Sequence, residues 1–436
     1  MRASTRFAGN GSFHGRKQMS SQRRHLQSEG KMGSIEAKFE KLATDNAPGQ
    51  ETRQKAGAIE TLLRGDRIAG TPVDFSHGDV DAFAPAPGSF EAFAAGVERG
   101  GRQAYTEYRG SLEIRTALAG RLADFTGAAV LADDGLIITP GSQGALFLAV
   151  ASTVSAGDKV AVVQPDYFAN RKLVQFFDGQ IVPVKLNYLD ARERAGLDLA
   201  ALEDAFKAGA KVFVFSNPNN PAGVVYSRQE IETIARFAER HGATIIVDEL
   251  YSRLLYDGTP YTHLRAMDVD PERVVTIMGP SKTESLSGYR LGAAFGSTRI
   301  VGRMEKLQAI VSLRAPGYSQ AVLNTWFAEP AGWLSGRIAA HRAIRDDLLL
   351  KLAAVEGLRA RKPEAGSYLF PKLPELAVSM QDFVRILRHQ AAVTVTPGAE
   401  FGPHSTGSVR LNFSQDHKAA ADAIVRLVEL VGRYRK

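Results

Sequence analysis

The sequence predicts an α/β fold on a largely parallel sheet, and three observations carry that expectation. Short β-rich apolar runs recur at Leu136–Thr139, Lys159–Val163, Gln180–Val184, Lys211–Phe215, Ala243–Val247 and Val274–Met278. They are apolar throughout rather than alternating, as in strands covered on both faces. Between them lie stretches with apolar residues at helical spacing, such as Ile231, Ile234, Ala235, Phe237 and Ala238 within Gln229–Arg240. Strands separated by helices define the α/β class.

The elements follow in order. Ile35–Arg67, rich in Ala, Glu and Lys, reads as one or two helices. From Val73 the rhythm changes to short apolar runs. Leu136–Thr139 precedes a Gly-rich turn and an apolar helix starting near Ala145. The Gly157-Asp158 turn introduces Lys159–Val163, and Gly179 introduces Gln180–Val184. A second region starts near Gln320. It holds a helical stretch (Ile338–Val355), a β-rich hairpin around Ser367–Pro371 and a helix (Gln381–His389). Val393–Thr396, Ser408–Phe413 and a terminal helix (Lys418–Tyr434) complete an α+β unit. The expected division is a leader over 1–32, an N-terminal segment over 33–75 that packs with the small domain, a large domain over 76–325 and a small domain over 326–436.

With 436 residues the chain exceeds one ordinary domain. Its 44% apolar and 23% charged residues exclude wholesale disorder or a fibre. The absence of cysteine excludes a disulfide scaffold, a thiol nucleophile and a thiolate metal site. It fits a reducing, cytoplasmic location, and no metal is expected. The net charge of +7 is concentrated at one end. Residues 1–31 carry Arg2, Arg6, Arg16, Lys17, Arg23, Arg24 and Lys31 against Glu29 alone. The body is therefore near neutral and carries no nucleic-acid footprint. The basic segment lacks the apolar core of a secretory signal. It reads as a disordered leader, or as residues upstream of a start at Met32. No apolar run reaches the ~18 residues of a membrane span.

In parallel sheets ligands bind beyond the carboxyl ends of the strands, and four such ends collect chemistry. Thr139-Pro140-Gly141-Ser142-Gln143-Gly144-Ala145 opens a helix, whose free N–H groups suit a phosphate; an ordinary strand-to-helix turn would look the same. Ser216-Asn217-Pro218-Asn219-Asn220-Pro221-Ala222-Gly223 offers three amides, more than a plain turn needs. Asp248 ends an apolar strand, where a carboxylate demands a cationic partner, and Tyr251 follows. A neighbouring Lys or Arg would serve equally as that partner. Ser281-Lys282 lies beyond Val274–Met278, with Arg290 further on. A lysine in such a crevice can lose its proton and form an imine; a surface lysine with a snorkelling stem is the plain alternative.

The ordered set resembles the class I/II aminotransferases, pyridoxal-phosphate enzymes of fold type I. The motifs are S-N-P-N-N-P-A-G at 216–223, V-D-E-L-Y at 247–251, S-K-T-E-S-L-S-G-Y-R-L-G at 281–292 and S-V-R-L-N-F at 408–413. The resemblance spans about residues 70–436. It implies a large domain with a mostly parallel seven-stranded sheet, a smaller α+β domain, and pyridoxal 5′-phosphate as cofactor. It implies that Lys282 forms a Schiff base with the cofactor and shuttles the substrate proton. Asp248 would pair with the pyridine nitrogen, while Tyr251 and Asn220 would bond the phenolic oxygen. Gly141, Ser142, Gln143, Ser281 and Arg290 would hold the phosphate, and Tyr167 would stack on the ring. Arg410 would clamp the substrate carboxylate, Gly78 would close over it, and Tyr105 would reach the phosphate of a neighbouring subunit in a homodimer.

The reaction implied is amino-group exchange between an amino acid and a 2-oxo acid. The alternative is another pyridoxal-phosphate reaction of the same fold: elimination, decarboxylation, or oxygen-dependent oxidation or hydroxylation. A transcription regulator with such a body would need a DNA-binding domain, for which the segment before it is too short. Three departures stand out. Gly279-Pro280 stands where a hydroxyl is common, so the phosphate cup is expected to lose a bond. Glu284 is expected to face solvent. Arg314 reads as a surface arginine or as a contact for an acidic substrate.

Overall fold

The computed structural model describes residues 35–44, 59–78, 82–190 and 196–436. Residues 1–44 and 45–436 form separate compact units. The described part of the first is a helix over 35–42. The basic segment 1–31 lies outside the described residues, as do 45–58.

The second unit is built on strands β1 (Val73–Asp74), β2 (Leu136–Pro140), β3 (Lys159–Gln164), β4 (Gln180–Lys185), β5 (Val212–Ser216), β6 (Thr244–Asp248), β7 (Val274–Met278) and β8 (Leu291–Gly296). Seven of them form one sheet in the order β2-β8-β7-β6-β5-β3-β4. All neighbours from β7 to β4 are parallel, and β8 runs antiparallel to both β7 and β2. The six apolar runs are thus strands of one sheet. β8 escaped the sequence reading because Leu-Gly-Ala-Ala-Phe-Gly has no β-branched residue. Its Gly292 is needed, since a Cβ there would collide with the backbone of Gly141 and Ser142. Pro183 is tolerated because β4 is the sheet edge.

Alternate strand residues face opposite layers. Val163, Phe213, Phe215, Ile245 and Val247 pack on one side with the helices Leu199–Lys207 and Arg228–His241. Val160, Val162, Val212, Val214, Ile246 and Ile277 pack on the other with Gly141–Thr153, Phe168–Phe176 and Thr298–Val311. The Arg228–His241 helix starts at a capping box, Ser227 with Glu230, and stops at Gly242 in the left-handed region.

Beyond the sheet lie the helices Trp333–Ala353, Met380–Ala391 and His417–Tyr434 with β9 (Tyr368–Leu369), β10 (Val393–Thr394), β11 (Thr396–Pro397) and β12 (Val409–Asn412). The expected hairpin at 367–371 is instead a short strand. β9 pairs with β12, which also pairs with β11. The helical expectation for the end of Ile35–Arg67 fails as well. Glu60–Leu62 is one 3-10 turn, and the chain then runs extended. Tertiary bonds outweigh propensity there: Ile68 N–H donates to the Gln390 carbonyl at 2.7 Å, Arg64 N–H to the Tyr434 hydroxyl at 2.7 Å, and β1 pairs with β10. No helix among the described residues is long and apolar enough to cross a membrane.

Candidate active site

Three adjacent strands set the site. Ser216 at the end of β5 is the register partner of Asp248 at the end of β6, and Asp248 is the partner of Ile277 on β7. The loop after β7 then carries Ser281 and Lys282 over the same edge. A cavity of about 290 Å3 opens here. Ser142, Gln143, Tyr167, Asn220, Asp248, Tyr251, Ser281, Lys282, Arg290 and Arg410 all line it. Gly141 borders it through Arg290, for a Cβ at Gly141 would stand 2.5 Å from the Arg290 guanidinium. Gly78 lines an adjoining cleft of about 560 Å3 together with Tyr251, Ser281 and Lys282. A side chain at Gly78 would press on Ser414.

Tyr105 is placed elsewhere. It is 78% exposed and lies beneath the Arg314 guanidinium, 4.8 Å from its ring centre. Arg314 also covers Tyr108 at 5.6 Å, so within one chain it meets two aromatic rings and does not reach the cavity.

Electrostatics divide the cavity. Arg290 and the start of the Gly141–Thr153 helix make one end positive. Arg410 makes the other end positive; it donates to Asn220 Oδ1 at 3.2 Å and to the Ser76 carbonyl at 2.8 Å. Its buried Nε has no partner among the described residues. Asp248 lines the same cavity. Burial pushes its carboxyl up to about 6, while the Leu250 N–H at 3.0 Å and the Lys282 charge pull it down.

The Asn-rich loop splits its work. Asn217 Oδ1 accepts from Tyr226 N–H at 3.2 Å, and Asn219 accepts from Ala222 N–H at 3.1 Å and donates to the Pro165 carbonyl at 3.1 Å. Two of the three amides therefore hold the loop, and Asn220 alone faces the cavity. Because its oxygen is taken by Arg410, its N–H groups are the ones left for a ligand.

Asp166 and Tyr368 were missed by sequence reasoning. Asp166 is buried and accepts from Ser216 Oγ at 2.5 Å, Ser216 N–H at 2.8 Å and Tyr167 N–H at 2.6 Å. It thereby fixes the Tyr167 backbone, whose hydroxyl donates to Gln143 at 2.9 Å. A carboxylate inside Pro165-Asp166-Tyr167 was a visible signal. Tyr368 had none, since only the antiparallel pairing of β9 with β12 brings it to the cavity.

The Glu284 expectation is overturned. Glu284 is 1% exposed and ion-paired with Arg253, which also holds Glu329 at 2.8 and 3.0 Å. The chain turns inward after Lys282 because Arg253 supplies the partner that a buried carboxylate requires. Burial still pushes Glu284 up to about 7. A side chain at Gly279 would press on Ser142 Oγ at 3.1 Å, so a small residue there makes room for Ser142.

His341 closes the cleft from the C-terminal side. It is 1% exposed and stacks on Phe83 with ring centres 4.0 Å apart. Its Nδ1–H donates to the Arg337 carbonyl at 2.9 Å, and Nε2 accepts from Ser414 Oγ at 3.0 Å. Both bonds suit the neutral ring, and burial lowers its pKa from 6.5 to about 4. A depressed histidine contributes stability that is present above its unfolded pKa and lost as pH falls through the folded one. Between pH 6.5 and 4 this site is expected to cost about 3 kcal/mol. Urea midpoints of parent and His341→Gln should therefore converge over that window.

The donor set fits pyridoxal phosphate: a cationic cup for a phosphate, a carboxylate for a pyridine nitrogen, an amine for an aldehyde and a buried guanidinium for a carboxylate. Comparison with known proteins gives the same reading. Residues 73–427 match the model of aminotransferase class I and II. A crystal structure of an aspartate aminotransferase from Rhodobacter sphaeroides superposes with a TM-score of 0.89 at 68% identity, covering 92% of this chain and 100% of that one. An aspartate aminotransferase of Sulfolobus acidocaldarius is 28% identical over 77% of this chain and 84% of its own length. An arginine–pyruvate transaminase of Pseudomonas aeruginosa is 26% identical over 90% of this chain and 98% of its own. The family match covers most of the sequence and the superposition most of the fold, and on both counts the chain belongs to the class I and II aminotransferases, the pyridoxal-phosphate-dependent transaminases of fold type I.

Proposed function

We propose that Lys282 carries the transamination and that the amino donor is a dicarboxylic amino acid, aspartate foremost. The observation that carries the first part is that Lys282 lines one cavity together with Asp248 and Arg410. The second rests on the Rhodobacter sphaeroides relative, an aspartate aminotransferase at 68% identity.

When bound, pyridoxal phosphate supplies an electron sink for cleavage of the bond between Cα and its hydrogen. The residues do the rest. Arg290 with the N–H groups of Gly141, Ser142 and Gln143 holds the phosphate, joined by Ser281. Tyr167, fixed by Asp166 and Gln143, would lie against the ring face. Asp248 keeps a proton at the pyridine nitrogen; that cation in turn draws its pKa back down. Tyr251 and the Asn220 N–H groups serve the phenolic oxygen. Arg410 and the backbone at Gly78 seat the α-carboxylate. Lys282 Nζ then moves the proton at Cα, a positioned transfer worth ~10²–10⁴-fold.

The same reading includes a homodimer. Tyr105, Tyr108 and Leu112 are exposed beside Ile310, Val311 and Leu313, and the stacking of Arg314 on Tyr105 and Tyr108 joins the two stretches into one apolar face. Such a patch suits a second copy of the chain, in whose cavity Tyr105 would meet the phosphate. A cytoplasmic location goes with it, supported by the absence of cysteine.

The test is a half-reaction. Aspartate alone should convert the bound cofactor to its amine form, and a 2-oxo acid alone should reverse it. Conversion by arginine or aromatic amino acids in preference to aspartate sinks the substrate assignment. Arg410→Ala should raise half-saturation for every amino acid by ~10–100-fold, the value of a hydrogen bond to a charged group. Unchanged half-saturation in steady-state assays removes Arg410 from that role.

A further inference from the structure

The cavity holds a second phenol to which the roles above give nothing to do. Tyr368 is 4% exposed and lies on β9, whose partner strand β12 carries Arg410. Tyr368 is the register partner of Asn412, so Arg410 lies two residues along the same strand. The Arg410 guanidinium carbon is 4.4 Å from the Tyr368 ring centre. At the other end, the Tyr251 hydroxyl donates to the Tyr368 hydroxyl at 2.7 Å, with the rings edge-on at 5.4 Å. One side chain thus touches both the carboxylate-binding arginine and the tyrosine beside the cofactor.

A phenol has a single hydrogen to give, so donation to Tyr368 excludes donation by Tyr251 into the cavity. Tyr368 is faced by Arg410 from β12, by Lys282 from the loop after β7, by Tyr251 from the turn after β6 and by Asp248 at the end of β6; Tyr167 also feels it. Burial by itself pushes Tyr368 up. The Arg410 charge, then Lys282 and the bond from Tyr251, carry it below the ordinary phenol value against Asp248. Tyr251 goes the other way, raised by burial. While Arg410 stands uncompensated, Tyr368 is the acceptor. A carboxylate on Arg410 cancels the charge over the ring that favours Tyr368 as acceptor, and Tyr368 becomes the donor. The hydrogen of Tyr251 is released to the cavity.

We infer that Tyr368 is a positioning residue that couples occupation of Arg410 by a substrate carboxylate to the direction in which Tyr251 donates its hydrogen bond. The inference rests on the roles given above to Arg410 and Lys282. If the cofactor reading fails, the protein stays colourless with pyridoxal phosphate, and the tyrosine titration is still read on the same chain.

The experiment follows tyrosine Cζ resonances in isotopically labelled, full-length, cofactor-loaded protein. The Tyr368 signal is identified by its loss in Tyr368→Phe, and the Tyr251 signal by its loss in Tyr251→Phe. Without ligand, Tyr368 should titrate below the ordinary phenol value of about 10, and saturating succinate should raise its midpoint by about one pH unit or more. In Arg410→Gln that midpoint starts high and succinate leaves it in place; this variant keeps the test readable if Tyr368→Phe does not fold. In Tyr368→Phe the Tyr251 signal stops responding to succinate, and kcat falls about tenfold with KM within about threefold, the loss of one hydrogen bond in the transition state. A Tyr368 midpoint near 10 that ignores succinate overturns the inference. So does a Tyr251 signal that still responds in Tyr368→Phe, or a Tyr368→Phe enzyme with the parent's kcat and pH profile.

Discussion

Replacing Lys282 with alanine should lower turnover by more than ~10⁴-fold while leaving cofactor binding measurable. The two effects separate because different parts of the cavity carry them. Arg290 and the start of the Gly141–Thr153 helix, which border the cavity, would hold the phosphate without help from the lysine. The lysine would supply the amine to the reacting carbon, and among the described residues no other lysine lines the cavity. Pre-steady-state absorbance with aspartate, together with equilibrium dialysis of the cofactor, measures both. A variant that turns over near the parent rate removes Lys282 from the chemistry. One that keeps its fold but loses the cofactor makes the lysine, rather than the phosphate cup, the main anchor.

Asp248→Asn should reduce kcat by ~10²–10³-fold, the scale on which a preorganised charge acts on a developing one. The amide matches the carboxylate in size, so packing at the end of β6 is kept. What changes is the proton at the pyridine nitrogen, which a neutral amide holds far less firmly. The same substitution has an opposite effect on the protein without cofactor. The carboxyl there has a folded pKa of about 6 against 3.8 unfolded, raised by burial. Such a shift stabilises below the unfolded pKa and is lost as pH rises through the folded one. At neutral pH the cofactor-free parent carries that unfavourable charge and Asp248→Asn does not. Its melting temperature without cofactor should therefore exceed the parent's, and with cofactor fall below it. Parallel changes in both states would contradict the role of Asp248 as partner of a bound cation.

Much of this site was legible because it sits where sequence signals are strongest. Val212–Phe215, Thr244–Val247 and Val274–Met278 are uninterrupted apolar strands, so the polar residues that follow them were marked by contrast. Asp248 and Lys282 were found that way. What escaped depends on pairing or on partners distant in sequence. Strand β8 is spelled in glycine and alanine because the backbone of Gly141 and Ser142 presses against it. Residues 59–67 look helical by composition, yet beyond the turn at Glu60–Leu62 the chain is held extended by bonds to Gln390 and Tyr434. Glu284 reads as a surface charge until Arg253 and Glu329 are brought to it. Tyr368 enters the cavity only through the register of β9 on β12. No local pattern encodes contacts of that kind.

Borohydride reduction of the cofactor-loaded protein, followed by peptide mapping, addresses the covalent assignment directly. The reduced cofactor should be found on the peptide that contains Lys282, in close to one equivalent per chain, and nowhere else. An adduct on any other lysine, or a colourless protein that yields no adduct at all, contradicts it.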